Sequence, residues 1–255
     1  MSDQPAPAQP QPSLTVHRAD ERYASAPEPG VETRHAFSFA GHYDPANTHF
    51  GALLACNEET LAPGAGFAPH RHRDTEILSW MVEGALAHRD DHGHAAVVRP
   101  GRVQYLSAGA GVVHSEGNVA GAPGPVRFVQ FWLQPDVFGT PPRYGLRAAP
   151  GPDAPGLVLL ADGTELRRAD AALHLLRLGP YAPLPPLPAA AYRYLHVVRG
   201  GLGFRTAAGP RGTGQEVGPG DSLRLTGTAG PVDPAAGPDG VEALLWEMHS
   251  PLRYG

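Results

Sequence analysis

Glycine and proline cut this chain into short pieces, and that punctuation limits what it can fold into more than any other feature. From Thr33 onward, turn signals such as DPAN, APG, Glu83-Gly84 and RPG recur roughly every 8–12 residues. Between them lie runs that alternate apolar and polar residues: RHAFSFAG, EILSWMVE, and VRFVQFWL with Val126, Phe128, Gln130 and Trp132 on one face. Alternation at period two is the mark of strands with one buried face. The chain is therefore expected to be all-β, built of antiparallel sandwiches or barrels. Its 255 residues suffice for one large domain or two of ordinary size. All 20 basic residues are Arg, beside 32 Gly and 29 Pro, so the abundant Ala reflects a composition bias and is not read as helix propensity.

The turns also repeat. VVRGGLGFR around Gly200 matches MVEGALAHR around Gly84, and VGPGDSLRLT around Gly220 matches VRPGRVQYLS around Gly101. The second half is thus a diverged copy of the first. Residues 1–30, rich in Pro, Gln and Ala, are expected to form a disordered tail. The first domain is expected at 31–140, a linker of Gly-Pro composition at 141–156, and the second domain at 157–255.

The stretch from Gly66 to Glu116 carries the chemistry. It opens with His70 and His72 and closes with His114 and Glu116. Residues i and i+2 of a strand share a face, so each pair aims two donors at one place. Two such strands side by side make a four-ligand metal site. Neutral imidazoles suit Fe, Mn, Ni, Cu and Zn, and one carboxylate adds a hard oxygen donor. Four protein ligands on a six-coordinate ion leave two positions for a chelating substrate, or for substrate and dioxygen. Glu76, four residues beyond His72, is a rival carboxylate, either as a ligand or as a partner behind a ligand histidine. In the second copy the corresponding positions fall on Pro186 and Pro188, and on Asp233 and Ala235. That copy is expected to bind no metal and to serve as a wall or lid.

Other features point away from alternatives. A formal charge of −5 without a basic run excludes nucleic acid as the expected partner. Neither an export signal nor an apolar run long enough to span a membrane is seen, and the single Cys56 fits a reducing cytoplasm, so a cytoplasmic protein is expected. Cys56 itself reads as a small buried apolar residue. His88, His92 and His94 lie on a hairpin and are expected to face solvent, and the remaining histidines read as core or surface residues. Trp80, Trp132 and Phe67 are expected in the core, with room for one or two to wall a pocket. Ser107 and Ser115 lie near His114, but no nucleophile elbow accompanies them.

The runs HAFSFAGHYDPANTHFGALLACNEETLAPGAGF, HRHRDTEILSWMVEGALAHRDDHG, RPGRVQYLSAGAGVVHSEGN and PVRFVQFWLQP resemble the pirin family, in particular its bacterial, quercetinase-like branch of bicupins. The resemblance is continuous over residues 33–145, and in the second half only the general cupin pattern remains. It implies two β-barrel, jelly-roll domains packed face to face. It implies one divalent transition metal, iron first, with nickel, copper, manganese, zinc or cobalt as alternatives, held by His70, His72, His114 and Glu116. It further implies opening of a flavonol or related phenolic ring with dioxygen, with Glu116 as the base that takes the proton of the substrate hydroxyl. The family usually has H-P-H where this chain has His70-Arg71-His72, which removes the stiffness of Pro and leaves the ligands in place. The alternative that the family offers is a regulatory metal protein that docks on a transcription factor or metabolic enzyme. A monomer is expected in either case.

Overall fold

A computed structural model describes residues 10–151, 154–206 and 214–253. Among these residues there are eighteen strands, one three-residue 3-10 turn and no α-helix. In chain order the first half contains β1 Ser13–His17, β2 Tyr23–Ser25, β3 Val31–His35, β4 Leu53–Leu61, β5 Gly66–His72, β6 Glu76–Glu83, β7 Leu86–Asp90, β8 Ala95–Val98, β9 Arg102–Ser107, β10 Val112–Asn118, β11 Val126–Leu133 and β12 Arg143–Ala148. The second contains β13 Gly156–Ala161, β14 Ala171–Leu178, β15 Tyr192–Arg205, β16 Gly214–Val217, β17 Ser222–Thr226 and β18 Val232–Met248.

The first half is a jelly-roll sandwich. A sheet in the order β12-β9-β6-β11-β4-β3-β2 packs on a smaller sheet, β5-β10-β7-β8, and all pairings are antiparallel. Alternation decides which residues go between the sheets. Val31, Leu61, Met81, Val126 and Phe128 of the large sheet meet Leu86 and Val98 of the small one in one apolar cluster. Ile77, Leu106, Ala108 and Val112 form a second cluster, with Trp132 and Tyr144 packed against it.

The second half is a single sheet folded on itself, β1-β17-β15-β18-β14-β13 with β16 beside β15. Its strands β15 and β18 run for 14 and 17 residues, joined by a ladder with three register shifts. The corresponding runs of the first half are each broken into two strands, β6 with β7 and β10 with β11. The two jelly-roll halves make up a bicupin, as expected, although continuous hydrogen bonding closes neither half into a barrel.

The outward residues of the large sheet bury themselves against the second half. Cys56, Leu78, Trp80, Phe131 and Leu133 share a core with Leu173, Tyr194, Leu244, Trp246 and Met248, all almost fully buried. The ring of Phe131 meets that of Trp246 edge-on at 5.7 Å. Burial of so many large side chains, at roughly 1.5–3 kcal/mol each, fastens the two halves together face to face.

Two expectations about the chain's connections need correction. The disordered tail expected over residues 1–30 does not extend through the described part, which begins at residue 10. There β1 pairs with β17 of the second half and β2 with β3 of the first, while Arg18 reaches Asp221 and Arg22 reaches Glu58, both at 2.9 Å. The strand pattern SLTVH is short and set among prolines, so composition hid it. The linker expected over 141–156 likewise begins with a strand, since Arg143–Ala148 pairs with β9. Tyr144 and Leu146 anchor it by packing on the two apolar clusters between the sheets. None of the described residues forms a helix long and apolar enough to cross a membrane.

Candidate metal centre

Neighbouring strands β5 and β10 carry the two pairs. In their register His114 lies opposite His70 and Val112 opposite His72, and a bulge between His114 and Glu116 sets Glu116 opposite Phe67. The backbones approach closely there: a Cβ on Gly66 would lie 2.5 Å from the carbonyl oxygen of Glu116, so only glycine fits. Nitrogens of His70, His72 and His114 lie within 4.8 Å of one another, and a second triplet of the same tightness joins His114 and Glu116 to His88. Three of the four residues singled out in the sequence thus form one triplet, and the fourth, Glu116, belongs to the other, with His114 common to both. Arg71 is exposed, and its guanidinium lies over Gly111, outside the site.

His72 and His114 are tuned to be neutral. Burial, reinforced by the neighbouring imidazoles, pulls His72 down to about 4. Burial likewise brings His114 to about 4, against the opposing pull of Glu116. His70 donates from Nδ1 to the Ala68 carbonyl at 2.8 Å, which leaves Nε2 as the lone-pair nitrogen. Both ring nitrogens of His114 are buried without a hydrogen-bond partner. A buried polar atom left unpaired costs free energy, and a metal ion is the natural partner of an unprotonated imidazole so placed. The donor set thus fits a divalent transition metal.

Glu116 is buried, and burial alone would raise its pKa. The interaction with His88, the electrostatic pull of His114 and the Gln104 amide outweigh that and hold it at about 2. Gln104 Nε2 donates to Oε1 at 2.6 Å and Gln130 Nε2 to Oε2 at 3.1 Å, which fixes the plane of the carboxylate.

His88 was expected at the surface and is instead only 1% exposed. It stands on the same face of β7 as Leu86, two residues before it, and that alternation was the signal available in the sequence. Its Nδ1 lies 3.8 Å from Glu116 and its Nε2 3.5 Å from Asp90, whose carboxylate accepts from the partly exposed His94 at 2.8 Å. Tyr144 stacks on the His88 ring at 4.3 Å and donates to Gln104. Gln104, Gln130 and His88 thus form a polar setting around Glu116.

Glu76 belongs to neither triplet. The Ser107 hydroxyl donates to its Oε2, and so does the backbone N–H of Arg167, at 3.0 Å, so it ties the first half to the second. Strand parity counted from His72 fails because the chain turns at Asp74, at φ 51°, and passes from the small sheet to the large one.

A cavity of about 240 Å³ opens beside the histidines. His70, His72 and Glu116 line one side, Phe39, Phe67 and Trp132 wall it, and Asn57 and Glu59 of β4 reach it from the large sheet. Trp132 and Phe67, considered for the core, are half-buried pocket walls.

Residues 16–133 match the family model described as Pirin. A Mycobacterium tuberculosis protein named "Putative quercetin 2,3-dioxygenase" is 39% identical over 94% of this chain and 97% of its own length. The chain belongs to the pirin family. The quercetin 2,3-dioxygenase of Escherichia coli is 35% identical over 60% of this chain and 65% of that protein. Among solved structures, the bacterial pirin YhhW of Escherichia coli in complex with nickel(II) superposes with a TM-score of 0.79, at 26% identity, over 94% of this chain and 100% of that one. A quercetin 2,3-dioxygenase of Acinetobacter baumannii shares the fold, with a TM-score of 0.71 at 17% identity over 94% and 89% of the two chains.

Proposed function

We propose that this pirin is a metal-dependent dioxygenase of phenolic ring compounds, of the quercetin 2,3-dioxygenase kind. The observation that supports the reading is the triplet of His70, His72 and His114, linked through His114 to the buried carboxylate of Glu116, with His70, His72 and Glu116 lining a cavity that has aromatic walls. His70, His72, His114 and Glu116 are the residues that would hold one divalent ion, iron in the first instance. When bound, the ion would acidify a coordinated hydroxyl and bring substrate and dioxygen together.

The chain's own residues do the rest. Phe39, Phe67 and Trp132 offer flat apolar surface to an aromatic ring and keep water from it. Glu116 is ionised at neutral pH and so can accept a proton from a hydroxyl at the mouth of the triplet. The amides of Gln104 and Gln130 lower its basicity, so that acceptance requires a hydroxyl more acidic than a free phenol.

The reading is tested by supplying the metal-loaded chain with quercetin and following oxygen uptake and carbon monoxide release together. Stoichiometric loss of oxygen and gain of carbon monoxide are expected. Neither signal, at full metal occupancy and across a panel of oxidisable phenols, would overturn it.

A further inference from the structure

Glu58 and Glu59 are adjacent, buried or nearly so, and differ in everything else. Glu58 faces the second half, whose His196 reaches it at 2.9 Å, as does Arg22 of the N-terminal segment. Glu59 faces the cavity of the first half and is 3% exposed. Among the described residues no Arg or His nitrogen lies within ion-pair distance of it; the Thr33 hydroxyl donates to its Oε2. A buried carboxyl without a cation is costly, and such a group in a pocket marks a site of use.

The other polar side chains of the cavity are occupied. His35 spends its two nitrogens on Asn57 and Ser25, at 3.0 and 2.7 Å. Gln130 spends its amide nitrogen on Glu116 and Ser79, and its oxygen accepts from Trp132. Asn57 also hydrogen-bonds the Glu59 side chain, and a carboxyl can make more bonds than the two that Thr33 and Asn57 supply. Glu59 is therefore a polar group of this cavity with capacity left for a ligand, and it is no part of either histidine triplet.

We infer that Glu59 is a specificity-determining residue: its carboxyl hydrogen-bonds a second oxygen of the phenolic ligand, remote from the hydroxyl that meets the metal-site residues. The inference rests on the reading of the cavity as a phenol site. Burial, with Glu116 nearby, raises the Glu59 carboxyl to about 8, so at neutral pH it carries a proton and can donate as well as accept. A polyhydroxylated ring system is the ligand class that uses both properties, and a phenol with one oxygen leaves the carboxyl unpaired.

The test compares quercetin with 3-hydroxyflavone, which keeps the hydroxyl of the reacting ring and lacks the other four. Binding is followed by protein fluorescence and calorimetry on the full metal-loaded chain, apart from any turnover. The wild type should prefer quercetin by roughly 10–100-fold, Glu59→Leu should abolish that preference, and Glu59→Gln should restore part of it, with metal content unchanged in both. Infrared difference spectra of the wild type give a measure independent of variant folding: quercetin should shift a protonated-carboxyl band that 3-hydroxyflavone leaves in place. The inference is overturned if Glu59→Leu keeps the preference, if both ligands weaken equally, or if that band does not move. Binding that depends on Glu59 without any turnover would remove the dioxygenase reading and leave the subsite standing, whereas failure to bind either flavonol removes both.

Discussion

The two halves of this pirin share a scaffold and differ in what fills it. Gly84 and Gly200 turn the chain with φ of 76° and 67°, and Gly101 and Gly220 with 82° and 85°. Phe67 opposite Glu116 has its counterpart in Pro183 opposite Ala235, each partner three residues before the position of His70 or Pro186. Inside, the resemblance ends. Where the first half has His88 and Gln104, the aligned residues of the second are Phe204 and Leu223, buried in an apolar core with Leu202 and Val217. Where the first has His114, the second has Asp233, exposed and paired with Arg205 at the surface. Chemistry here resides in a few interior side chains, and the same fold without them becomes packing.

Carrying the second half's character into the first should erase the site stepwise. The largest effect is expected from His70→Ala or His114→Ala, each of which removes a proposed metal donor. Metal affinity should fall by more than ~100-fold, read by elemental analysis after dialysis. Glu116→Gln should weaken binding and, at matched metal loading, depress turnover further, because it also removes a proton acceptor. His88→Phe copies Phe204 and withdraws the imidazole behind Glu116. It should fold, and should cost on the order of 10–100-fold in metal affinity or turnover. Unchanged values would mean that His88 only fills space.

Smaller effects sharpen the contrast between polar and apolar interiors. Glu59 binds its proton more tightly when folded, about 8 against 4.5. Its contribution is therefore full below the unfolded value and lost as pH rises through the folded one. Chemical denaturation should show Glu59→Gln flattening the stability profile by on the order of 1–2 kcal/mol between pH 6 and 8. An identical profile in the variant would place that titration elsewhere. The smallest effect is expected at Glu76, where Glu76→Gln should leave metal content untouched and cost about 1 kcal/mol through its bonds to Ser107 and Arg167. Loss of metal in that variant would return Glu76 to the ligand shell.

The sequence made much of this legible, for identifiable reasons. Period-two alternation and glycine turns are local signals, so the strands, the duplication and the pairing of H-x-H with H-x-E could be read directly. Glu76 was misplaced because parity was counted across a change of sheet at Asp74, which no alternation records. His88 was misplaced because its hairpin looked polar, although Leu86 two residues earlier already marked the inner face. Strands Ser13–His17 and Arg143–Ala148 were hidden by flanking Gly and Pro, since what orders them is pairing with strands distant in sequence. Glu59 carried no motif; only the cavity formed by β4, β5 and β11 gives it meaning.

The most direct test of the contrast between the halves is metal stoichiometry. Elemental analysis of the purified chain, saturated with iron or nickel and then desalted, should give one ion per chain, falling to near zero in the His70→Ala, His114→Ala double variant. Two ions per wild-type chain, or one retained in the double variant, would contradict the account.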